Sequence, residues 1–202
     1  MKIIGLCGKS GSGKGTVAAL LRDRGIPVLD TDKLYHSMIN DPLSDCTKAI
    51  ADAFGTIVLD EEGKISRAVL RQIVFGEENK EKWRALNAIS HHYVQIECKK
   101  WIEKQRQNAA NVVCLDVPLL FESHLDKICH ITLAVLAPIN VCVSRIIERD
   151  GIDSQSAAAR LSAQLQDEEL ASLCQFTITN DGSIDRLSAQ VQLFLSQIQN
   201  LQ

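Results

Sequence analysis

No stretch of this chain is both apolar and long enough to cross a bilayer. The longest apolar runs, such as Cys129 to Ala137, are strand-sized, and no cleavable secretory segment is visible. Charge of either sign is also not in excess: 22 Lys and Arg face 25 Asp and Glu, a formal net charge of -3. No global field therefore draws the protein to nucleic acid or to an acidic membrane, and any anion site must be local. The seven cysteines form no CxxC pair, are odd in number and lie partly in apolar runs. That pattern predicts buried free thiols in a reducing cytoplasm, not a disulfide framework or a metal knuckle. Internal repeats are not apparent. With 46% hydrophobic and 23% charged residues, the disordered, collagenous and low-complexity classes are excluded. A length of 202 residues fits one domain, 1–202, with room for a small inserted subdomain.

What is present is an alternation of short β-rich runs with longer helical patterns. The runs are Lys2 to Cys7, Pro27 to Leu29, Val112 to Leu115, His130 to Leu136 and Phe176 to Thr179. Five such runs separated by helices predict an α/β fold, a parallel five-stranded sheet covered by helices on both faces. About eighty mostly helical residues lie between the second and third runs, more than a packing helix requires. They predict a helical subdomain over about 33–108, beside the strand ends where ligands bind. Its long helix, Lys80 to Gln105, repeats Trp83, Leu86, Ile89, Val94 and Cys98 at helical spacing, and Trp83 and Trp101 are expected as core anchors. A second insertion, about 141–173, reads as a mobile helical lid. Ser188 to Gln202 reads as a closing helix buried through Val191, Phe194, Leu195 and Ile198.

The segment richest in chemistry is Gly8-Lys9-Ser10-Gly11-Ser12-Gly13-Lys14-Gly15-Thr16, between the first apolar run and a helical pattern, Val17 to Asp23. Strand, glycine-rich loop and helix in that order are the context of a phosphate-binding P-loop. Glycines let the backbone curl so that successive N–H groups face phosphate oxygens, and Lys14 adds a full charge near the β and γ phosphates. This implies ATP or a similar nucleotide held by Gly11, Ser12, Gly13, Lys14, Gly15 and Thr16. Gly15 stands where a Ser or Thr hydroxyl usually ligates Mg2+, so the metal falls to Thr16 or to a carboxylate, partly through water.

Phosphoryl transfer also needs a base and cations, expected at the carboxyl ends of the strands. Asp30 and Asp32 follow the second run. Their spacing allows one to enter the site while the other caps a helix, and Asp32 is the expected base. Asp116 ends the third run, where a P-loop protein places its water-bridged Mg2+ carboxylate, with Asp30 as a possible second. In the lid, Arg145 and Arg149 are four apart on one helix face, with Glu148 and Asp150 expected to neutralise them in part, and Arg160 follows the Asp150-Gly151 turn. Such a lid would carry arginine to the triphosphate and exclude water.

The chain resembles the dephospho-CoA kinase family. The residues that carry the resemblance are Ile4-Gly5-Leu6 running into the loop, Gly25-Ile26-Pro27-Val28-Leu29-Asp30-Thr31-Asp32, and Arg67 to Phe75. They continue in Asp116-Val117-Pro118-Leu119-Leu120-Phe121-Glu122, Arg149-Asp150-Gly151, Arg160-Leu161-Ser162-Ala163-Gln164 and Ile178-Thr179-Asn180-Asp181-Gly182. The resemblance implies a nucleotide-kinase-like P-loop fold that transfers the γ-phosphate of ATP, with Mg2+, to the 3'-hydroxyl of dephospho-CoA in the cytoplasm. It further implies Asp32 as base, Lys14 and Arg149 in catalysis, and Arg145 on the nucleotide. Asn180 is implied near the adenine, and Arg67, His91 and Asp116 on the acceptor side. Departures from the family pattern are Lys9, Ser10 and Gly15 in the loop, His92 after His91, Gln95, and Leu170, Leu173 and Cys174 past Gln164. Two other readings follow from them: a nucleoside or nucleotide kinase, favoured by Gly-Lys-Gly-Thr, and a nucleotide-binding regulator that has lost turnover. The sequence carries no signal of oligomeric state.

Overall fold

A strand covered on both faces needs no polar alternation, and Lys2–Cys7 (β1) is buried along all but its first residue, as a central strand should be. The computed structural model describes residues 1–199. Within them β1, Val28–Asp30 (β2), Val112–Asp116 (β3), Ile131–Leu136 (β4) and Phe176–Thr179 (β5) form a five-stranded parallel sheet in the order β2-β3-β1-β4-β5. The expected runs shift slightly at their ends. Pro27 lies just before β2, its carbonyl accepting from Cys114 N–H at 2.9 Å, and His130 lies just before β4, its Nδ1 accepting from Ile3 N–H at 3.1 Å.

The helices are Lys14–Asp23 (α1), Thr31–Ile39 (α2), Asp45–Phe54 (α3), Arg67–Val74 (α4), Lys80–Gln107 (α5), Ile139–Asp150 (α6), Ser154–Ser162 (α7), Asp167–Leu173 (α8) and Ile184–Gln199 (α9). Apolar faces of α1 and α9 join the sheet in one core through Val17, Leu21, Val191 and Phe194 against Ile4, Leu133 and Ile178. The closing helix thus begins at Ile184, earlier than Ser188, and the end expected for it at 200–202 lies outside the described residues.

The chain divides into two compact units, Met1–Leu29 with the chain from Gln105 onward, and Asp30–Lys104. The first holds the sheet, α1 and α6 to α9. In the second, Ser44 caps α3 through Cys46 N–H, the Ile65 amide bonds the Ile39 carbonyl at 2.9 Å, and Thr47 Oγ1 donates to the Met38 carbonyl at 2.9 Å. Trp83 and Trp101 are not the core anchors expected: Trp83 is 50% exposed, and Trp101 is only half-buried. The buried stripe of α5 is confined to Val94, Cys98 and Ile102, one helical turn apart each time, and Trp83 lies in the first turn, far ahead of it. All seven cysteines are free and six are buried. Burial pushes the Cys98 thiol up to about 12 and that of Cys46 to about 11, so neither supplies thiolate near neutrality.

Candidate functional site

Within the first unit, the loop 8–13 leaves the carboxyl end of β1, the middle strand, and enters α1. Gly13 is the left-handed N-cap of α1 at φ 91°, and a Cβ there would run into the Asn180 carboxamide. At Gly11, φ 77°, a Cβ would lie 2.5 Å from the Cys142 carbonyl oxygen of α6. Backbone approaches this close exclude side chains, which is why the loop is written in glycine. No side chain caps α1 and no acid stands in its first turn, so the unpaired amides and the positive helix end remain for an anion.

Lys14 is the first residue of α1, and its ammonium makes an ion pair with Asp116. The sheet arranges this meeting: β1 and β3 are neighbours with Leu6 in register with Asp116, which is buried. Asp116 therefore does not stand open as a metal ligand, as the sequence suggested; the loop lysine is its partner. Thr16, the other expected ligand, is exposed on the first turn of α1. Gly15 is exposed beside it, with nothing within 4 Å of a Cβ built there. A Gly15→Ser variant should thus raise stability by about 0.5 kcal/mol through helix propensity, a Tm gain of about 1–2 °C. If the added hydroxyl reaches the metal, half-saturating Mg2+ in the activity assay falls as well. A drop in Tm would contradict the open space.

Three further groups brace the loop. Asn180, buried just past β5, donates from Nδ2 to the Ser12 carbonyl at 2.8 Å, and Arg145 of α6 donates from Nη1 to the Gly11 carbonyl at 3.0 Å. The carboxamide expected at the adenine is thus turned onto the loop backbone, and Arg145 likewise grips the loop from outside. Gln164 Oε1 accepts from the Ser10 amide at 3.0 Å. Beneath the loop, the Cys7 and Cys174 sulfurs are 3.5 Å apart, and this hydrogen bond with burial holds the Cys7 thiol well above its usual range.

Arg145 and Arg149, though one turn apart, have different partners. Arg149 grips Asp150 in a bidentate pair at 2.7 and 2.9 Å, and Arg160 of α7 joins the same carboxylate. Asp150 ends α6, and the left-handed Gly151 that follows turns the chain so that α7 folds back, which is why Asp150 and not Glu148 serves as counter-charge. The hydrogen bonds from Arg149, then Arg160, lower the Asp150 carboxyl to about 2 from 3.8. A depressed carboxyl stabilises the fold above the unfolded value and loses that effect as pH falls through the folded one. Acid titration followed by the carboxyl carbon shift of Asp150 should therefore show no midpoint until near pH 2, and Arg160→Ala should move the midpoint upward. A midpoint near 4 in the unaltered protein would mean the pairs do not form.

Asp30 caps α2, accepting from Lys33 N–H at 3.0 Å, with Lys33 Nζ at 3.5 Å from its carboxylate. Of the two expected aspartates, Asp30 is thus the cap, and Asp32 stands in the first turn of α2. One turn further, the Tyr35 phenol is raised by burial, while a hydrogen bond with Ser90 and the nearby charge of Arg67 oppose the rise. Arg67 opens α4, and His91 is half-buried on α5 beside Ser90.

Sequence reasoning passed over Lys9, Gln164 and Asp167 as contributors to the loop, and Tyr35 beside Asp32. Tyr35 had a usable signal, its i,i+3 spacing from Asp32 on a helix. The others had none, because their contacts join positions about 155 residues apart in sequence.

A family model described as dephospho-CoA kinase matches residues 2–186. A dephospho-CoA kinase of Fusobacterium nucleatum is 38% identical over 196 residues, covering 97% of this chain and 98% of that protein. One of Carboxydothermus hydrogenoformans is 34% identical over 195 residues, covering 96% and 93%. Among solved structures, a Thermus thermophilus protein superposes with a TM-score of 0.80 at 33% identity, over 98% of this chain and 97% of that one. A shikimate kinase of Bacteroides thetaiotaomicron, at 15% identity and a TM-score of 0.57 over 98% of both chains, shares the fold alone.

Proposed function

The chain belongs to the dephospho-CoA kinase family, and from that premise we infer how its residues divide the work of phosphoryl transfer. It is an ATP-dependent phosphotransferase whose acceptor is the 3'-hydroxyl of dephospho-CoA, the last step in making coenzyme A. The cradle of loop amides and the α1 terminus holds the nucleotide phosphates, with Lys14 turning from Asp116 to the triphosphate. The Asp116 carboxylate released by that turn would hold Mg2+, with Thr16 as a second oxygen donor, directly or through water. Magnesium supplies charge neutralisation on the transferring group. Among the described residues no group of three or more His, Cys, Asp or Glu could hold a metal ion.

Asp32 takes the proton of the acceptor hydroxyl as the oxygen attacks. Arg67 and His91, in the same compact unit, hold the acceptor, and Arg149 and Arg160 of the lid spread positive charge over the leaving oxygens once released from Asp150. Arg145 and Asn180 keep the nucleotide loop in shape from outside and underneath. Free buried thiols throughout the chain support a reducing compartment such as the cytoplasm. No helix among the described residues is long and apolar enough to cross a membrane.

The cradle alone would serve many nucleoside triphosphate enzymes; the end-to-end family match is the observation that carries the acceptor. Purified protein with ATP, Mg2+ and dephospho-CoA should yield coenzyme A phosphorylated at the ribose 3' position. Transfer only to AMP, CMP or a deoxynucleoside would overturn the acceptor, and ATP binding with no turnover would leave a regulator.

A further inference from the structure

A lysine at the second position of the loop needs a reason, because its side chain is almost completely removed from water. Lys9 is 6% exposed as a residue, and its ammonium lies 2.9 Å from Asp167 Oδ1. Asp167 is the first residue of α8, where a carboxylate also meets the positive helix end, and the capping box between Gln166 and Glu169 fixes that turn. The adjacent loop amide, Ser10 N–H, is held by Gln164 Oε1 at 3.0 Å. Two consecutive loop residues are thus tied to one four-residue junction, 164–167, at the foot of the lid helix α7. An exposed ion pair would carry no argument. Here the cation is buried and cannot turn to solvent when the loop rearranges, so it follows Asp167.

We propose that Lys9 is a positioning residue of the phosphate loop, acting through Asp167: the ion pair and the Ser10–Gln164 bond clip the α7–α8 junction to the loop and hold it in the shape that receives the triphosphate. Lys9 does not touch the nucleotide in this scheme. Its charge is directed at α8, whereas Lys14 supplies the cation on the phosphate side. The clip also ties the lid's base to the loop, so that the two are registered before nucleotide arrives. This rests on the loop being the nucleotide site.

A double-mutant cycle tests it, with steady-state kinetics for ATP and dephospho-CoA and a Tm for each protein. Lys9→Met keeps the hydrocarbon stem, Asp167→Asn keeps the shape of its side chain, and the double variant removes both charges. The expected result is a rise in KM for ATP of about fivefold in each single variant, with kcat changed less than twofold and KM for dephospho-CoA unchanged. The double variant should be no worse than either single one. Lys9→Arg should restore much of the ATP KM. If Lys9 instead bound phosphate directly, Lys9→Met would weaken ATP while Asp167→Asn would tighten it, and the proposal fails. It fails equally if both single variants lower Tm but leave the ATP KM within a factor of about 1.5 at a temperature where each is folded. Absence of ATP binding by the unaltered protein would instead reject the nucleotide reading beneath it. Should Lys9→Met not fold, Gln164→Ala, which cuts the companion bond without burying a charge, is expected to raise the ATP KM about twofold to threefold; no change in it would likewise overturn the clip.

Discussion

Lys14→Met is expected to lower ATP affinity by about tenfold to a hundredfold and to lower Tm by about 6–12 °C. The first effect is the loss of a charge-assisted phosphate contact, ~1.5–3 kcal/mol. The second comes from Asp116. Its side chain is 6% exposed and that of Lys14 17%, so the pair is shielded from solvent, and deleting the cation strands a buried carboxylate at a cost of ~3 kcal/mol or more. For a chain of this length each kcal/mol is about 2–4 °C of Tm. The two effects separate in the double variant Lys14→Met with Asp116→Asn: thermal stability should return toward that of the unaltered protein, whereas ATP affinity should not. Calorimetric melting and titration with a non-hydrolysable ATP analogue read the two quantities independently. If the single variant binds the analogue as the unaltered protein does, the cradle has been placed wrongly. If it melts unchanged, the Lys14–Asp116 pair carries no net stability and its role is confined to the loop's resting state.

Asp32→Asn should reduce kcat by about 10²- to 10⁴-fold, the usual worth of a general base, and leave KM for ATP within twofold. The cap of α2 belongs to Asp30, which bonds Lys33 N–H, so a neutral amide at 32 keeps the helix start intact. Losing the negative charge from the first turn costs ~0.3–1 kcal/mol, about 1–4 °C of Tm. By contrast, Asp30→Ala should cost ~1 kcal/mol in stability while sparing the chemistry, since the cap is lost and the base is not. Single-turnover measurements at saturating ATP and dephospho-CoA decide the matter. A kcat for Asp32→Asn within threefold of the unaltered protein would remove Asp32 from the reaction.

Much of this site was legible in one dimension because its parts are local. The strand, glycine loop and helix are contiguous, Gly11 and Gly13 announce the left-handed turns they adopt, and the Asp30–Asp32 spacing already contained the helix cap. Other features depend on the path of the chain. Trp83 was expected inside because its spacing continued an apolar series, but the series is buried only where α5 has something to cover, from Val94 onward. Arg145 and Arg149 share a periodicity and yet serve different partners, since the Gly151 turn delivers Arg160 to Asp150 and the loop takes Arg145. Asn180, matched to the family by its motif, is bound to the Ser12 carbonyl because β5 ends two strands away from β1, on the side from which the loop's backbone is reachable.

By itself the amino-acid order determined the α/β class, the phosphate loop, the free thiols and the family, because periodicity, glycine placement and short contiguous strings express local backbone preferences and need no knowledge of distant neighbours. Only the tertiary structure decided that Lys14 rests on Asp116, that Lys9 is buried against Asp167, and that Arg149 and Arg160 share one carboxylate. Those choices depend on which strand lies beside β1 and where each helix ends. Burial then assigns each cation its partner, because a charge withdrawn from water must be neutralised by whatever opposite charge the fold has brought within reach.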